Sequence, residues 1–265
     1  MTSATHVRWR HAGWAGALDL AAGLAPGALL ATTDAEPERR SRHAWTRRLD
    51  GDLWLKVYPA PDGRRAWRAW RMGLALDRAG FEVPDGVLVG TRGGRGLLVT
   101  RDLGGRPLVD AIAVARGAAK HELLRTLGRA VGALHVAGFV HGDLVPSNVH
   151  LRDGAVAFLD HDRTRRGRLL VWWGARRNLV QLGRFVVAGV TSSDRARVLS
   201  AYADRLGLSR RARRRLARWV AAKVVARRIA IDRIPRAVAA DAGHARLMRS
   251  GGPFDPARRG AEERP

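Results

Sequence analysis

Apolar and polar positions along the chain fall into stretches of distinct period. Leu53 to Tyr58 alternates around Lys56 and is closed by Pro59 and the Pro61-Asp62-Gly63 turn, which predicts a strand ending in a loop. Arg64 to Ala79 carries Trp67, Trp70, Leu74 and Leu76 at helical spacing, and Gly80 follows as a C-terminal stop. Val87 to Val89 and Leu97 to Thr100 flank the Gly-rich run Thr91 to Gly96 and read as a hairpin. After Asp102-Leu103-Gly104-Gly105 the period changes. His121 to Val136 sets Leu123, Leu124, Leu127, Val131 and Leu134 three and four apart ahead of Gly138, a helix end. Val149 to Leu151 and Val156 to Leu159 are short strands joined at Asp153-Gly154, and helices are predicted from Asn178 to about Ile234. Ala12 to Ala31 follows Arg8, Arg10 and His11 as the apolar part of a signal peptide would. Asp19, Pro26 and several glycines interrupt it, so it reads as one amphipathic helix leading into the domain.

These elements divide the chain into a helical lead-in over residues 1–40, a small α+β lobe over 41–102, a mostly helical lobe over 103–250, and a tail over 251–265 whose composition predicts disorder. The fold class expected is α+β and two-lobed, with an antiparallel sheet and one helix in the first lobe. At 265 residues and 46% hydrophobic, the chain suffices for such a module. It has no cysteine, which excludes disulfides, Cys-ligated zinc and thiol nucleophiles and leaves the chemistry to carboxylates, His, Lys and Arg. Forty-eight basic against 24 acidic residues give a formal charge of +24, a balance that suits anionic partners such as nucleic acid, phosphorylated glycans or acidic lipid surfaces. Only Lys56, Lys120 and Lys223 are lysines, and an Arg, Ala and Gly-rich alphabet is equally the mark of coding bias. A glycan or lipid acceptor is expected ahead of nucleic acid, and the oligomeric state is left open.

The most specific segment is His141-Gly142-Asp143-Leu144-Val145-Pro146-Ser147-Asn148, with Asp160 twelve residues after Asn148 in Phe158-Leu159-Asp160-His161-Asp162. Transfer of a γ-phosphoryl group needs a carboxylate that orients and deprotonates the attacking hydroxyl, and oxygen ligands that hold Mg2+ against the phosphates. Asp143 suits the first task, Asn148 and Asp160 the second. Kinases place an Asn five residues past the loop Asp and a metal-binding Asp beyond it, and Asn148 is likewise five past Asp143. Lys56 is the fourth part. A lysine inside a Trp-Leu-Lys-Val-Tyr strand is costly to bury unless its ammonium meets a phosphate or carboxylate. Thr100 and Asp102, where the hairpin runs into the connecting segment, complete the expected nucleotide contacts. All depends on Asp143, Asn148 and Asp160 serving one cation, with Lys56 across from them.

Leu55-Lys56-Val57-Tyr58, the Arg-Ala-Trp-Arg helix, Ala79 to Pro84, Leu97 to Leu103, Leu134 to Leu144 and Phe158 to Arg163 together resemble the Kdo/heptose lipopolysaccharide kinase family, over about Arg42 to Val187. Trp172 to Leu179 is similar to the Arg-rich helix start after that family's metal site. His-Gly-Asp-Leu is shared with aminoglycoside and choline-type kinases, and the Leu-Asp-x-Asp-Arg form at Leu159 to Arg163 favours the lipopolysaccharide branch. The resemblance implies a protein-kinase-like fold, ATP and Mg2+ as cofactors, and transfer to a Kdo or heptose hydroxyl of a lipid-linked glycan at the cytoplasmic membrane face.

The chain departs from that pattern in three places. No acid lies between Asp62 and Asp77, and Ala66 and Ala69 stand where the family's helix carboxylate precedes a Trp-Arg pair, so Lys56 must pair with Asp160 or the phosphates directly. Thr46 to Asp52 is not a glycine-rich phosphate loop, leaving Arg42, Arg47 or Arg48 to supply charge. Val145 replaces a common His. A catalytically weak nucleotide-binding regulator, or a protein or small-molecule kinase of the same fold, is the alternative. Ser209 to Ile231 is a basic helix with Leu216, Val220 and Val224 in one stripe, expected to pack on the lobe and open to an anionic lipid surface. His135 reads as a satisfied core residue and His141 as a brace for the loop.

Overall fold

The computed structural model describes residues 6–34, 36–41, 43–49, 52–184 and 190–232, which form two compact units. The tail over 251–265, and Arg42 as a phosphate ligand, lie outside these residues.

The first unit spans residues 1–104 and takes back 158–164. Its strands are β1 (His6–His11), β2 (Trp14–Asp19), β3 (Arg39–Arg40), β4 (Trp45–Leu49), β5 (Leu53–Tyr58), β6 (Gly86–Arg92) and β7 (Arg95–Arg101), with helices α1 (Pro26–Ala31) and α2 (Arg64–Asp77). They form one antiparallel sheet in the order β1-β2-β6-β7-β5-β4-β3. Period-2 alternation in β5 sorts its side chains cleanly. Leu53, Leu55 and Val57 join Trp9, Trp14, Leu18, Val87, Leu97 and Val99 in a core on one face. Tyr58 joins Ala66, Ala69, Trp70, Val89 and Leu98 under α2 on the other.

The helical lead-in is not observed. Residues 14–19 are a sheet strand, and among the described residues helix is confined to short turns at Leu20–Ala22 and Thr32–Asp34 and to α1. The physical reason is a period of two hidden among small residues: Trp14, Gly16 and Leu18 are buried while Ala15 is exposed. Gly16 allows β2 to close on β6, since a Cβ there would lie 1.8 Å from the Val89 carbonyl oxygen. The Trp9 indole N–H, donating to Val89 O at 3.1 Å, ties β1 to the same strand.

The second unit comprises, of the described residues, 105–157, 165–184 and 190–232. It contains β8 (Arg106–Pro107), α3 (Leu108–Val114), α4 (Gly117–Val136), β9 (Phe139–Val140), β10 (Val149–Arg152), β11 (Ala155–Phe158), β12 (Arg165–Arg166), α5 (Arg168–Gly183), α6 (Ser192–Arg205) and α7 (Arg210–Asp232). β11, β10 and β8 form a small sheet, and β12 pairs with β9. The helix expected from Asn178 begins ten residues earlier, at Arg168, so Trp172 to Leu179 is the middle of α5 and not its start. α7 buries Val220 and Val224 and exposes Arg211, Arg214, Arg215 and Arg218, as an amphipathic helix packed by its stripe does.

Candidate active site

Register in the first sheet fixes what surrounds Lys56. Its partners across the ladder are Thr46 on β4 and Leu98 on β7, and Trp54, one step along the same face, is opposite Arg48 and Thr100. Thr100 and Arg48 therefore share the face of Lys56, whereas Arg47, opposite Leu55, is on the other. The Lys56 ammonium reaches Asp160 Oδ1 at 2.7 Å and Asp162 Oδ2 at 3.7 Å. It also lies 5.2 Å from the centre of the Tyr58 ring. Burial works against the charged lysine, but Asp160 and Asp162 outweigh it and hold the ammonium's pKa above its ordinary value. Burial, then the Asp160 charge, push the Asp162 carboxyl up.

Asp160 and Asp162 are delivered by a short segment anchored to this unit. Phe158 N–H donates to Glu82 O at 3.0 Å, and its ring meets Phe81 edge-on at 6.3 Å. Asp160 then takes a left-handed backbone (φ 64°, ψ 74°), which costs an L-residue about 1 kcal/mol and marks a site of imposed geometry. The turn His161–Arg163 that follows packs on α2. Asp102 caps the connecting turn, accepting from the Gly104 N–H at 3.0 Å, and lies 3.7 Å from Arg48.

In the second unit, Gly142 has a positive φ of 76°, so the loop turns at the one residue type without a steric penalty there. The Asn148 amide donates to Asp143 O at 3.1 Å, closing the loop on itself. Beneath it runs a buried neutral network. Asn178 Oδ1 accepts from the His141 backbone N–H at 3.1 Å and faces His135 Nε2 at 3.1 Å. That puts the His135 proton on Nε2 and leaves Nδ1 to accept from the Tyr202 hydroxyl at 3.0 Å. Asn178 Nδ2 donates to Gln181 Oε1 at 3.0 Å, and Gln181 Nε2 donates to Gly142 O at 2.9 Å. Burial lowers the His135 pKa to about 4. Arg184 lies within electrostatic reach of Asp143: burial lowers its pKa and the Asp143 charge opposes this.

Lys56 and Asp160 are thus brought together in one unit, Asp143 and Asn148 in the other. His135 is the satisfied core histidine expected. Bracing at His141 runs through its backbone to Asn178. Sequence reasoning did not find Asn178, Gln181, Arg184, or the approach of Asp162 to Lys56. An Asn and a Gln three apart in a helix otherwise built of Arg and apolar residues was the available signal, since that spacing sets both amides on one face.

Residues 30–202 match the lipopolysaccharide kinase (Kdo/WaaP) family. Among solved structures, WaaP in complex with acyl carrier protein superposes with a TM-score of 0.60 at 21% identity, covering 76% of this chain and 92% of that one. The aminoglycoside-3'-phosphotransferase of type VIII gives 0.51 at 16% identity, over 75% and 98%. The KEOPS complex subunit Bud32 of Pyrococcus abyssi is 54% identical over 39 residues, 15% of this chain and 18% of that protein. The chain spans only 11 to 18% of the length of the curated relatives it matches. The fold is accordingly the two-lobed α+β fold of the kinases. With nearly two thirds of its length matched, this chain belongs to the lipopolysaccharide kinase (Kdo/WaaP) family.

Proposed function

We propose that the protein transfers the γ-phosphoryl group of ATP to a hydroxyl of Kdo or heptose in lipopolysaccharide core or a related lipid-linked glycan. The observation that carries this is the 2.7 Å pair between a strand lysine and Asp160, the pairing that phosphate-binding and metal-binding groups of a kinase would make. Lys56 binds the α- and β-phosphates, with Thr100 and Asp102 as further nucleotide contacts. Asp143 orients the acceptor hydroxyl and accepts its proton. The sugar oxygen forms the new bond to the γ-phosphorus as the bond to the β,γ-bridging oxygen breaks and ADP leaves. Asp160 and Asn148 offer oxygen donors alone, the chemistry Mg2+ prefers, and would hold it. When bound, the ion neutralises charge on the phosphates.

A lipid-linked acceptor would be met at the cytoplasmic face of the inner membrane. Support comes from α5, which exposes Leu169, Leu170 and Trp173 beside Arg165, Arg166 and Arg168, a mixture suited to an anionic lipid interface. Among the described residues no helix is long and apolar enough to cross a membrane.

The test is transfer from radiolabelled ATP to deacylated core oligosaccharide, with protein and small amino-sugar acceptors alongside. Asp143→Ala is expected to lose about a thousandfold in rate with its melting temperature unchanged. Full activity in that variant, or labelling of protein in preference to sugar, would overturn the assignment.

A further inference from the structure

The first unit poses an electrostatic problem of its own. Lys56 is largely buried, its side chain 19% exposed, and needs a counter-charge when no nucleotide is present. The helix beside it supplies none. From Arg64 to Leu76, α2 carries no acid, and the positions it turns to the sheet, Ala66 and Ala69, are 0% and 5% exposed methyl groups packed against Tyr58 and Leu98. The nearest carboxylate, Asp160, is the one proposed above to turn to the cation. A lysine that shared its only carboxylate with a metal would lose the contact that aims its ammonium whenever the metal bound.

Asp162 answers that requirement. Its Oδ2 lies 3.7 Å from the Lys56 ammonium, and at 10% side-chain exposure it is more deeply set than Asp160 at 36%. It is also clamped. Arg65, in the first turn of α2, reaches Asp162 Oδ2 with Nη1 at 3.9 Å while its Nε donates to Asp62 Oδ1 at 3.0 Å. The turn that carries Asp162 is closed by the Thr164 N–H donating to His161 O at 3.0 Å and packs on the same helix. α2 thus contributes a cation that holds a carboxylate and no carboxylate of its own.

We infer that Asp162 is the positioning residue of Lys56, fixed by Arg65 and left in place to hold the ammonium toward the phosphates when Asp160 serves the metal. The inference rests on the nucleotide site proposed above. It assigns the 160–162 turn two separable tasks, Asp160 for the cation and Asp162 for the lysine. It also removes the motive for regarding the chain as a weakened kinase, because the missing helix acid has a substitute.

Two measurements test it. In the first, made without nucleotide or metal, Lys56→Met, Asp162→Asn and the double variant are unfolded in urea. The single effects are expected to be non-additive by about fivefold or more in the unfolding constant. Strict additivity overturns the pairing whether or not the protein binds ATP, so it is distinguishable from failure of the proposed function. In the second, Asp162→Asn is expected to raise KM for ATP about tenfold and to leave the Mg2+ concentration for half-maximal rate unchanged, with partial rescue in Asp162→Glu and a weaker effect of the same kind in Arg65→Ala. Asp160→Asn should instead shift the Mg2+ requirement. A shifted Mg2+ requirement in Asp162→Asn, with KM for ATP unaltered, would make Asp162 a metal ligand and overturn the inference.

Discussion

Lys56 is held by charge and the loop around Asp143 by neutral hydrogen bonds that run in one direction. In the first unit two carboxylates face the ammonium and Arg65 lies near one of them, so removal of one carboxylate leaves the other in reach. In the second, each donor from the Tyr202 hydroxyl to the Gln181 amide has its own acceptor, and the chain ends on the Gly142 carbonyl beside Asp143. Charge tolerates imprecise geometry because Coulomb attraction falls slowly with distance. A buried amide network does not, because each unmet group carries its full desolvation cost. A nucleotide-binding lysine must yield its partner to a ligand. A loop that aims a carboxylate has to stay where it is.

The sharpest way to break this contrast is Asn178→Leu, which fills similar volume and strands the His141 N–H and the His135 ring. A loss of about 3 kcal/mol in urea unfolding is expected, together with most of the transfer rate. A smaller loss than that of Lys56→Met would reverse the ranking of the two clusters.

Acid should probe the neutral network next. The folded His135 pKa lies near 4 and the unfolded value near 6.5, so in that window the unfolded chain binds the extra proton. Stability from this group is complete above about pH 6.5, falls as pH drops toward 4, and is levelled out below it. Between pH 7 and pH 5 the loss is about 2 kcal/mol. Denaturation at the two pH values measures it, and a His135 C–H resonance titrating near 6.5 in the folded protein would contradict the assignment.

Much of the first unit was legible because burial there follows a simple period. β5, α2 and the β6–β7 hairpin each sort apolar residues to one face, and the structure places them within a few residues of the pattern. The motif residues stood out because each is a polar group with no structural excuse in an apolar setting. Two things did not show. β2 was hidden because Trp-Ala-Gly-Ala-Leu satisfies both a strand and a helix period, and only the close approach to Val89 decides between them. The start of α5 was hidden because Leu169 and Trp173 are exposed, so its first turns lack the one-sided burial by which a helix is read. Asn178 and Gln181 escaped for a different reason. Uncharged amides are unremarkable in sequence, and their meaning depends on which backbone groups the fold brings to them.

The smallest prediction concerns a helix end in the second unit. Thr191 caps α6, accepting from the Asp194 N–H at 3.2 Å while Asp194 Oδ2 accepts in return from the Thr191 N–H at 3.0 Å. Thr191→Ala should cost about 1 kcal/mol in unfolding and leave KM for ATP untouched, which would separate general stability from the integrity of the loop.

The Phe158–Thr164 segment returns to the first unit although the chain on both sides of it belongs to the second. No single cut in the gene can therefore yield the first unit intact. A fragment ending at Gly104 would inherit the strand lysine and leave its anionic companions behind, so expression of the halves should fail for an electrostatic reason before any question of activity arises.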